Sequence, residues 1–425
     1  MSNTKQPATL TGKISANPNP VPFGQGTAVI SWETNDPAGV QVRVSTSLDE
    51  EKLVIEASRS GQVEIPWIVD STIYDFRLYT ASQPDTLIDS VKVRRDFESA
   101  PAILRELAAE VVRGNIRMAE LCQFIAAVVP YCLHSGKFHQ IFPAWERHGF
   151  HVTPVHFYQP IPDTQHLPET LWDQRSELVG IDMNDSVQLD LLQKQFPKFR
   201  DEYEEFPTKP TERQTQFYLN NGLFDGTDAL VAYCMVRHFQ PQLIVEIGGG
   251  FSSLLLGQAL AKNNNSANLI CVEPFPKDFL RQGFPGLRSL MEKKVQDIDL
   301  DFFSQLDAGN ILFIDSSHTV KIGGDVNYLF LEVLPRLKPG VIVHVHDIFL
   351  PFEYRRDWVM DEFRFWTEQY LLQAFLTFNS EFEILLVNSY LAYRYMEHLK
   401  ATFPKSPLQG GGSFWMDRRP LKEVE

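Results

Sequence analysis

Apolar and polar positions along the chain follow three successive periods. Up to about residue 97 the runs Ala28–Trp32, Val40–Val44, Tyr74–Tyr79 and Val91–Val93 are short and alternating, with turn-rich breaks such as Asn17-Pro18-Asn19-Pro20 between them. This pattern predicts an antiparallel β-sandwich over 1–98. From residue 101 the spacing becomes three and four, which predicts packing helices over 102–113 and 116–133. Residues 149–163 are proline-rich, carry His151, His156, Tyr158 and Asp163, and must be extended. A helix near 186–205 completes an expected helical and extended connecting region over 99–210. Beyond about Thr211 the runs 243–247, 269–273, 310–314 and 340–345 are short, apolar and separated by helical stretches. Parallel strands buried on both faces read this way. Two more runs, 381–387 and 413–417, follow, the last expected to be antiparallel. The chain therefore reads as multidomain, with a C-terminal α/β Rossmann-like domain over 211–425 built on a seven-stranded, mostly parallel sheet.

Composition narrows the function classes. The 425 residues are 44% hydrophobic and 22% charged, enough to bury substantial cores. A formal net charge of −15 without any lysine-arginine run argues against a nucleic-acid partner. The four cysteines, Cys122, Cys132, Cys234 and Cys271, form no close pair, so neither a zinc site nor a disulfide framework is indicated, and a reducing cytoplasm is the expected location. The amino terminus is polar and no apolar stretch approaches a membrane span, so an unprocessed protein without one is expected.

The chemistry lies in the α/β region. The strand 243–247 runs into Gly248-Gly249-Gly250-Phe251-Ser252-Ser253 and then an apolar helix, so backbone free of side chains meets any ligand crossing the sheet edge. The next strand ends in Glu273, roughly 25 residues downstream, where an acid can accept hydrogen bonds from both ribose hydroxyls. Nicotinamide dinucleotides and S-adenosylmethionine both use this geometry. Ser253 stands where the dinucleotide pattern wants a third glycine, and Glu246 would repel a diphosphate but attract an ammonium group. Both details favour the methyl donor, with Gly248, Gly249, Gly250 and Ser252 along it and Asp297 accepting from the adenine amino group.

These residues resemble the class I S-adenosylmethionine-dependent methyltransferases, in particular the branch of bacterial sugar (macrolide-type) O-methyltransferases. The resemblance is carried by Glu246-Ile247-Gly248-Gly249-Gly250, Val272-Glu273, Ile314-Asp315-Ser316-Ser317-His318 and Val345-His346-Asp347-Ile348, over about 211–419. The segment Val155–Asp163 also looks like a stretch that precedes the domain in such relatives. At the other end, Trp32 and Tyr74 resemble the core tryptophan and corner tyrosine of immunoglobulin-like and fibronectin type III modules. A spacer or docking role is expected there, with a protein or glycan as partner.

Asp315-Ser316-Ser317-His318 ends the fourth strand and His346-Asp347 the fifth, where ligands sit in an open sheet. Two carboxylates beside an imidazole suit Mg²⁺, and the imidazole of His318 suits a general base. The resemblance implies the same roles: Asp315 and Asp347 on a metal, His318 as base. This chain departs at His346, where those relatives carry a carboxylate and magnesium prefers oxygen to nitrogen. His346 is nevertheless grouped with Asp315 and Asp347 as a candidate ligand. His344 reads as a structural histidine, Asp325 as a helix-surface residue, the aromatics of 352–378 mainly as core, and Gly410-Gly411-Gly412 as a flexible turn. Tyr354, Arg355 and Arg356 serve equally as lid or tether.

The expected function is O-methylation of a sugar or other small polar acceptor. Two alternatives remain on the sequence: a glycan- or partner-binding assembly protein with a vestigial methyltransferase domain, and hydride transfer on the same fold. The acceptor and the oligomeric state stay open, a homo-oligomer being compatible with the sequence.

Overall fold

The computed structural model describes residues 10–22, 27–46, 51–68, 73–96, 151–263, 268–406 and 409–419, with scattered positions between 109 and 149. The expected helices over 102–113 and 116–133 lie almost entirely outside the described residues. The chain divides into two compact units, 1–160 and 161–425.

Among the described residues of the first unit nine strands are formed: β1 (Gly12–Asn17), β2 (Val21–Pro22), β3 (Ala28–Thr34), β4 (Val40–Ser45), β5 (Lys52–Ala57), β6 (Ser60–Ile65), β7 (Tyr74–Thr80), β8 (Gln83–Val93) and β9 (Arg95–Asp96). They make a three-stranded sheet β1-β3-β6 and a four-stranded sheet β5-β4-β7-β8, both antiparallel, with β2 and β9 as a short parallel pair. Alternate residues face one shared core: Ala28, Ile30 and Trp32 from β3 meet Val40, Val42, Phe76 and Leu78 from the other sheet. Each large side chain removed from water there contributes about 1.5–3 kcal/mol. The Trp32 indole N–H is not wasted by burial, since it donates to the Ser58 carbonyl at 3.1 Å.

The second unit starts with residues 161–184 and a continuous helical stretch from Asp185 to Tyr203 that widens by one turn at Leu191–Gln195. Leu191, Leu192, Phe196 and Tyr203 pack into the same core as the helix Gly226–Phe239. Behind them lies a seven-stranded sheet of β10 (Ile244–Ile247), β11 (Leu269–Val272), β12 (Leu287–Met291), β13 (Ile311–Ile314), β14 (Ile342–Val345), β15 (Phe382–Val387) and β16 (Phe414–Arg418). Its order is β12-β11-β10-β13-β14-β16-β15, and β16 alone runs against the direction of the other six strands.

Successive residues of the central strands feed different faces. Ile244, Ile311, Phe313 and Ile342 join one apolar layer; Val245, Ile247, Leu312, Ile314, Val343 and Val345 join the other. Because both faces are covered, the strands read as continuous apolar runs. The chain leaves β10 for β11 on one side and later returns to β13 on the other, and this reversal of direction opens a crevice at the carboxyl ends.

Among the described residues no helix is long and apolar enough to cross a membrane.

Candidate active site

In-register parallel pairing brings the strand tips level. Ile247 stands opposite Val272 and Ile314, and Ile314 opposite Val345. The following residues, Gly248, Glu273, Asp315 and His346, therefore emerge side by side. Backbone bonds fix the level: Gly248 donates to Val272, Asp315 to Ile247 and His346 to Ile314, each at 2.9 Å.

Gly248 has φ +88°, and a Cβ there would lie 1.7 Å from the Asp315 carbonyl oxygen, so no other residue fits. The turn then delivers the helix Phe251–Lys262. Glu273 accepts the Gly249 N–H at 3.2 Å on one carboxylate oxygen and the Phe275 N–H at 2.7 Å on the other. It stands between two cavities. One of about 790 Å³ is lined by Gly248–Gly250, Ser252, Glu273, Asp315, His346 and Asp347, and by Trp358, Arg364 and Trp366. The other, about 470 Å³, is lined by Glu273, Phe275, Gln296, Asp315, Ser317 and Asp325.

Two expected donor residues sit elsewhere. Glu246 points to the opposite side of β10 from Ile247, is fully buried, and accepts hydrogen bonds from Ser252 Oγ at 2.7 Å and Ser253 Oγ at 2.5 Å. Burial pushes its carboxyl up to about 8. It is missing from the lining of either cavity. Asp297 is exposed and also absent from both linings, while its neighbour Gln296 faces the smaller cavity. The pattern Val295-Gln296-Asp297 could not say which of the three a one-turn helix would turn inward.

At the far side of the larger cavity Asp315, His318 and Asp347 offer ligating atoms all within 4.8 Å of one another. His318 Nε2 is 3.3 Å from Asp315 Oδ1 and 3.6 Å from Asp347 Oδ2. His318 and Asp347 both take left-handed backbone, at φ +56° and +55°. Strain of this kind persists only where the surroundings enforce it. Here a Cβ on Gly412 would come 2.7 Å from the Asp347 Cα, so the turn before β16 threads directly beside Asp347. Asp228 holds that turn, accepting from Gly412 N at 3.0 Å, Ser413 N at 2.8 Å and Asn388 Nδ2 at 2.8 Å. Gly410–Gly412 is thus a bonded part of the cavity wall, where the sequence suggested a flexible turn.

His318 itself lies in the wall behind Asp315, Asp347 and Trp366, with 6% of its surface exposed. Burial alone would depress its pKa, but hydrogen bonds to Asp315 and Glu368 hold it well above the usual histidine value. Burial raises Asp347, with the His346 and His318 charges opposing. His346 is buried, stacks edge-on against Phe224, and stands 3.7 Å from Asp347 Oδ1, outside the three-residue cluster. His344 is wholly buried between Phe313 and Trp415 and bonds Ser413 Oγ at 3.1 Å, as a structural histidine would.

Pattern reading missed Glu368, Asp228 and Asp325. Glu368 opens the helix Glu368–Leu376 in the aromatic stretch and is not singled out by the sequence. Asp325, read as a surface residue, accepts from Ser317 N at 2.9 Å and Ser317 Oγ at 2.6 Å beside the smaller cavity. Trp358 and Trp366 belong to the cavity wall. Of the post-strand segment, Arg355 lines the cavity, whereas Tyr354 is buried and Arg356 is tied to Glu169 at 2.8 Å and 3.0 Å.

An open, mainly parallel sheet with a glycine turn, an acid after the second strand and a crevice at the carboxyl ends is the architecture of a doubly wound α/β domain. Residues 245–348 match the family model described as methyltransferase domain, which supports a place for this part of the chain among the S-adenosylmethionine-dependent methyltransferases. An uncharacterized protein of Archaeoglobus fulgidus is 36% identical over 162 residues, which cover 36% of this chain and 73% of that protein. No solved structure matches. S-adenosylmethionine is the usual methyl donor of such domains.

Proposed function

We propose that the protein transfers the methyl group of S-adenosylmethionine to a hydroxyl of a small polar acceptor such as a sugar. The carrying observation is Glu273, a carboxylate that lines both cavities, so that a ribose held there would send its base into one and the donor tail into the other. Glu273 takes the ribose hydroxyls, Gln296 and Ser317 flank the base, and the Gly248–Gly250 backbone meets the methionyl part. When bound, the donor supplies an electrophilic methyl: its S–C bond breaks as the acceptor O–C bond forms, leaving S-adenosylhomocysteine. His318 in its neutral form takes the hydroxyl proton on Nε2 while Nδ1 stays bonded to Glu368; because its hydrogen bonds to Asp315 and Glu368 hold the imidazole well above the usual histidine value, that form is populated as pH rises. Positioning in a crevice lined by Trp358, Trp366 and Arg364 supplies much of the acceleration.

Asp315, His318 and Asp347 have ligating atoms within 4.8 Å of one another, with His346 outside the group; the two carboxylates would hold a divalent cation and leave His318 Nε2 to the proton. A bound Mg²⁺ would lower the pKa of an acceptor hydroxyl.

The first unit we read as an immunoglobulin- or fibronectin III-like module over 1–98 that docks a protein or glycan. Tyr74 favours it, its hydroxyl reaching back to the Trp67 carbonyl at 3.5 Å. The methyltransferase domain takes 211–425, with 161–210 packed onto it.

Calorimetric titration with S-adenosylmethionine tests the main reading. Wild type binds, and Glu273→Ala weakens binding about 10- to 100-fold, as loss of a charged hydrogen-bond acceptor does. Absence of binding at millimolar donor, or indifference to Glu273→Ala, removes its basis.

A further inference from the structure

The chain returns to the cluster at Trp366-Thr367-Glu368, where the helix Glu368–Leu376 begins. All three residues close on His318. The Trp366 ring centroid lies 4.4 Å from that of His318. The N–H groups of Thr367 and Glu368 donate to the His318 carbonyl at 2.9 and 3.1 Å, and Val320 N donates to Thr367 Oγ1 at 2.7 Å. Glu368 Oε2 is 2.9 Å from His318 Nδ1.

Glu368 is fully buried, and its second oxygen has no hydrogen-bond partner among the described residues. A buried carboxylate in that state costs free energy, and an apolar residue would pack there without the cost. Glu368 lines neither cavity, so any role it has passes through His318. An imidazole free to turn over would exchange Nδ1 and Nε2 with carbon positions and lose its aim. A carboxylate fixed behind Nδ1 prevents this and sets which nitrogen faces forward.

We infer that Glu368 is the positioning residue of the site: it accepts the Nδ1 proton of His318 and so holds Nε2 against Asp315 and Asp347. The inference rests on the reading of that cluster as the place where the acceptor's proton goes.

The test uses full-length protein with ¹⁵N-labelled histidine and saturating S-adenosylhomocysteine. Wild type shows a low-field, nitrogen-bound Nδ1 proton that is absent from His318→Asn, which assigns it. Glu368→Gln, whose amide oxygen still accepts but carries no charge, moves that resonance upfield while keeping its S-adenosylhomocysteine affinity, and Glu368→Asp returns it toward low field. A wild-type spectrum without the resonance, or a Glu368→Gln spectrum that keeps it unchanged, overturns the positioning role. Should Glu368→Gln fail to fold, the wild-type, His318→Asn and Glu368→Asp spectra still decide. Failure of wild type to bind S-adenosylhomocysteine overturns the methyltransferase reading instead, and a retained low-field proton would then leave the Glu368 contact standing without its catalytic meaning.

Discussion

Ser253 Oγ donates to Glu246 Oε2 at 2.5 Å beneath the glycine turn. The carboxylate has no solvent exposure, and burial pushes it up to about 8 from an ordinary 4.5. The folded state therefore binds a proton that the unfolded chain has released, and linkage makes stability fall as pH rises through that window. Unfolding measured from pH 5 to 9 is expected to show this decline in wild type and a flatter profile in Glu246→Gln. A wild-type profile that rises over the same window would mean the group is ionised in the fold.

Gly248 and Gly250 lie two residues apart and should respond oppositely to alanine. A Cβ on Gly248 collides with the Asp315 backbone at a positive φ, whereas one on Gly250 meets no atom within 4 Å. Gly248→Ala should lose about 2–5 kcal/mol of stability and donor binding with it. Gly250→Ala should melt near wild type. Thermal unfolding of the pair checks this, and equal melting would contradict the turn geometry.

His318→Ala should separate chemistry from binding. With an acceptor in hand, turnover falls roughly 10²–10⁴-fold, the usual range for a general base, while donor affinity holds. The same variant strands Glu368 without its charged partner, so its melting temperature drops as well. Donor affinity that collapses in parallel with turnover would assign His318 to the donor site.

Divalent cation should bind where two carboxylates face each other. Mg²⁺ at 100 times its Kd would add about 2.7 kcal/mol to stability. The gain should be visible as a raised melting temperature in wild type and missing from Asp347→Asn. An identical gain in both proteins would place the cation elsewhere.

The legible part of the site was the part encoded locally. Gly248 announced a turn because only glycine tolerates the conformation, and Glu273 and Asp315 were legible because each directly follows an apolar strand. Glu246 differs in lying inside β10 instead of after it. Alternation along β10 sends it to the face opposite Ile247, under Ser252 and Ser253. Asp297 lies outside both cavity linings for a similar reason, as the rotation of a one-turn helix is set by what packs on Val295 and Ile298. Glu368 lies 50 residues from His318, and nothing local marks the pairing.

By itself the sequence determined the periods: alternating strands, then buried parallel strands with a glycine and an acid at their ends. Those follow from backbone sterics and the two-faced burial of a sheet, which act over a few residues. Which side chains share the crevice was decided only by the tertiary structure. Parallel register levels the tips of β10, β11, β13 and β14, the Asp228-held turn presses on Asp347, and a distant helix brings Glu368 behind His318. Such contacts join positions far apart in the chain, and their geometry exists only once the layers have packed.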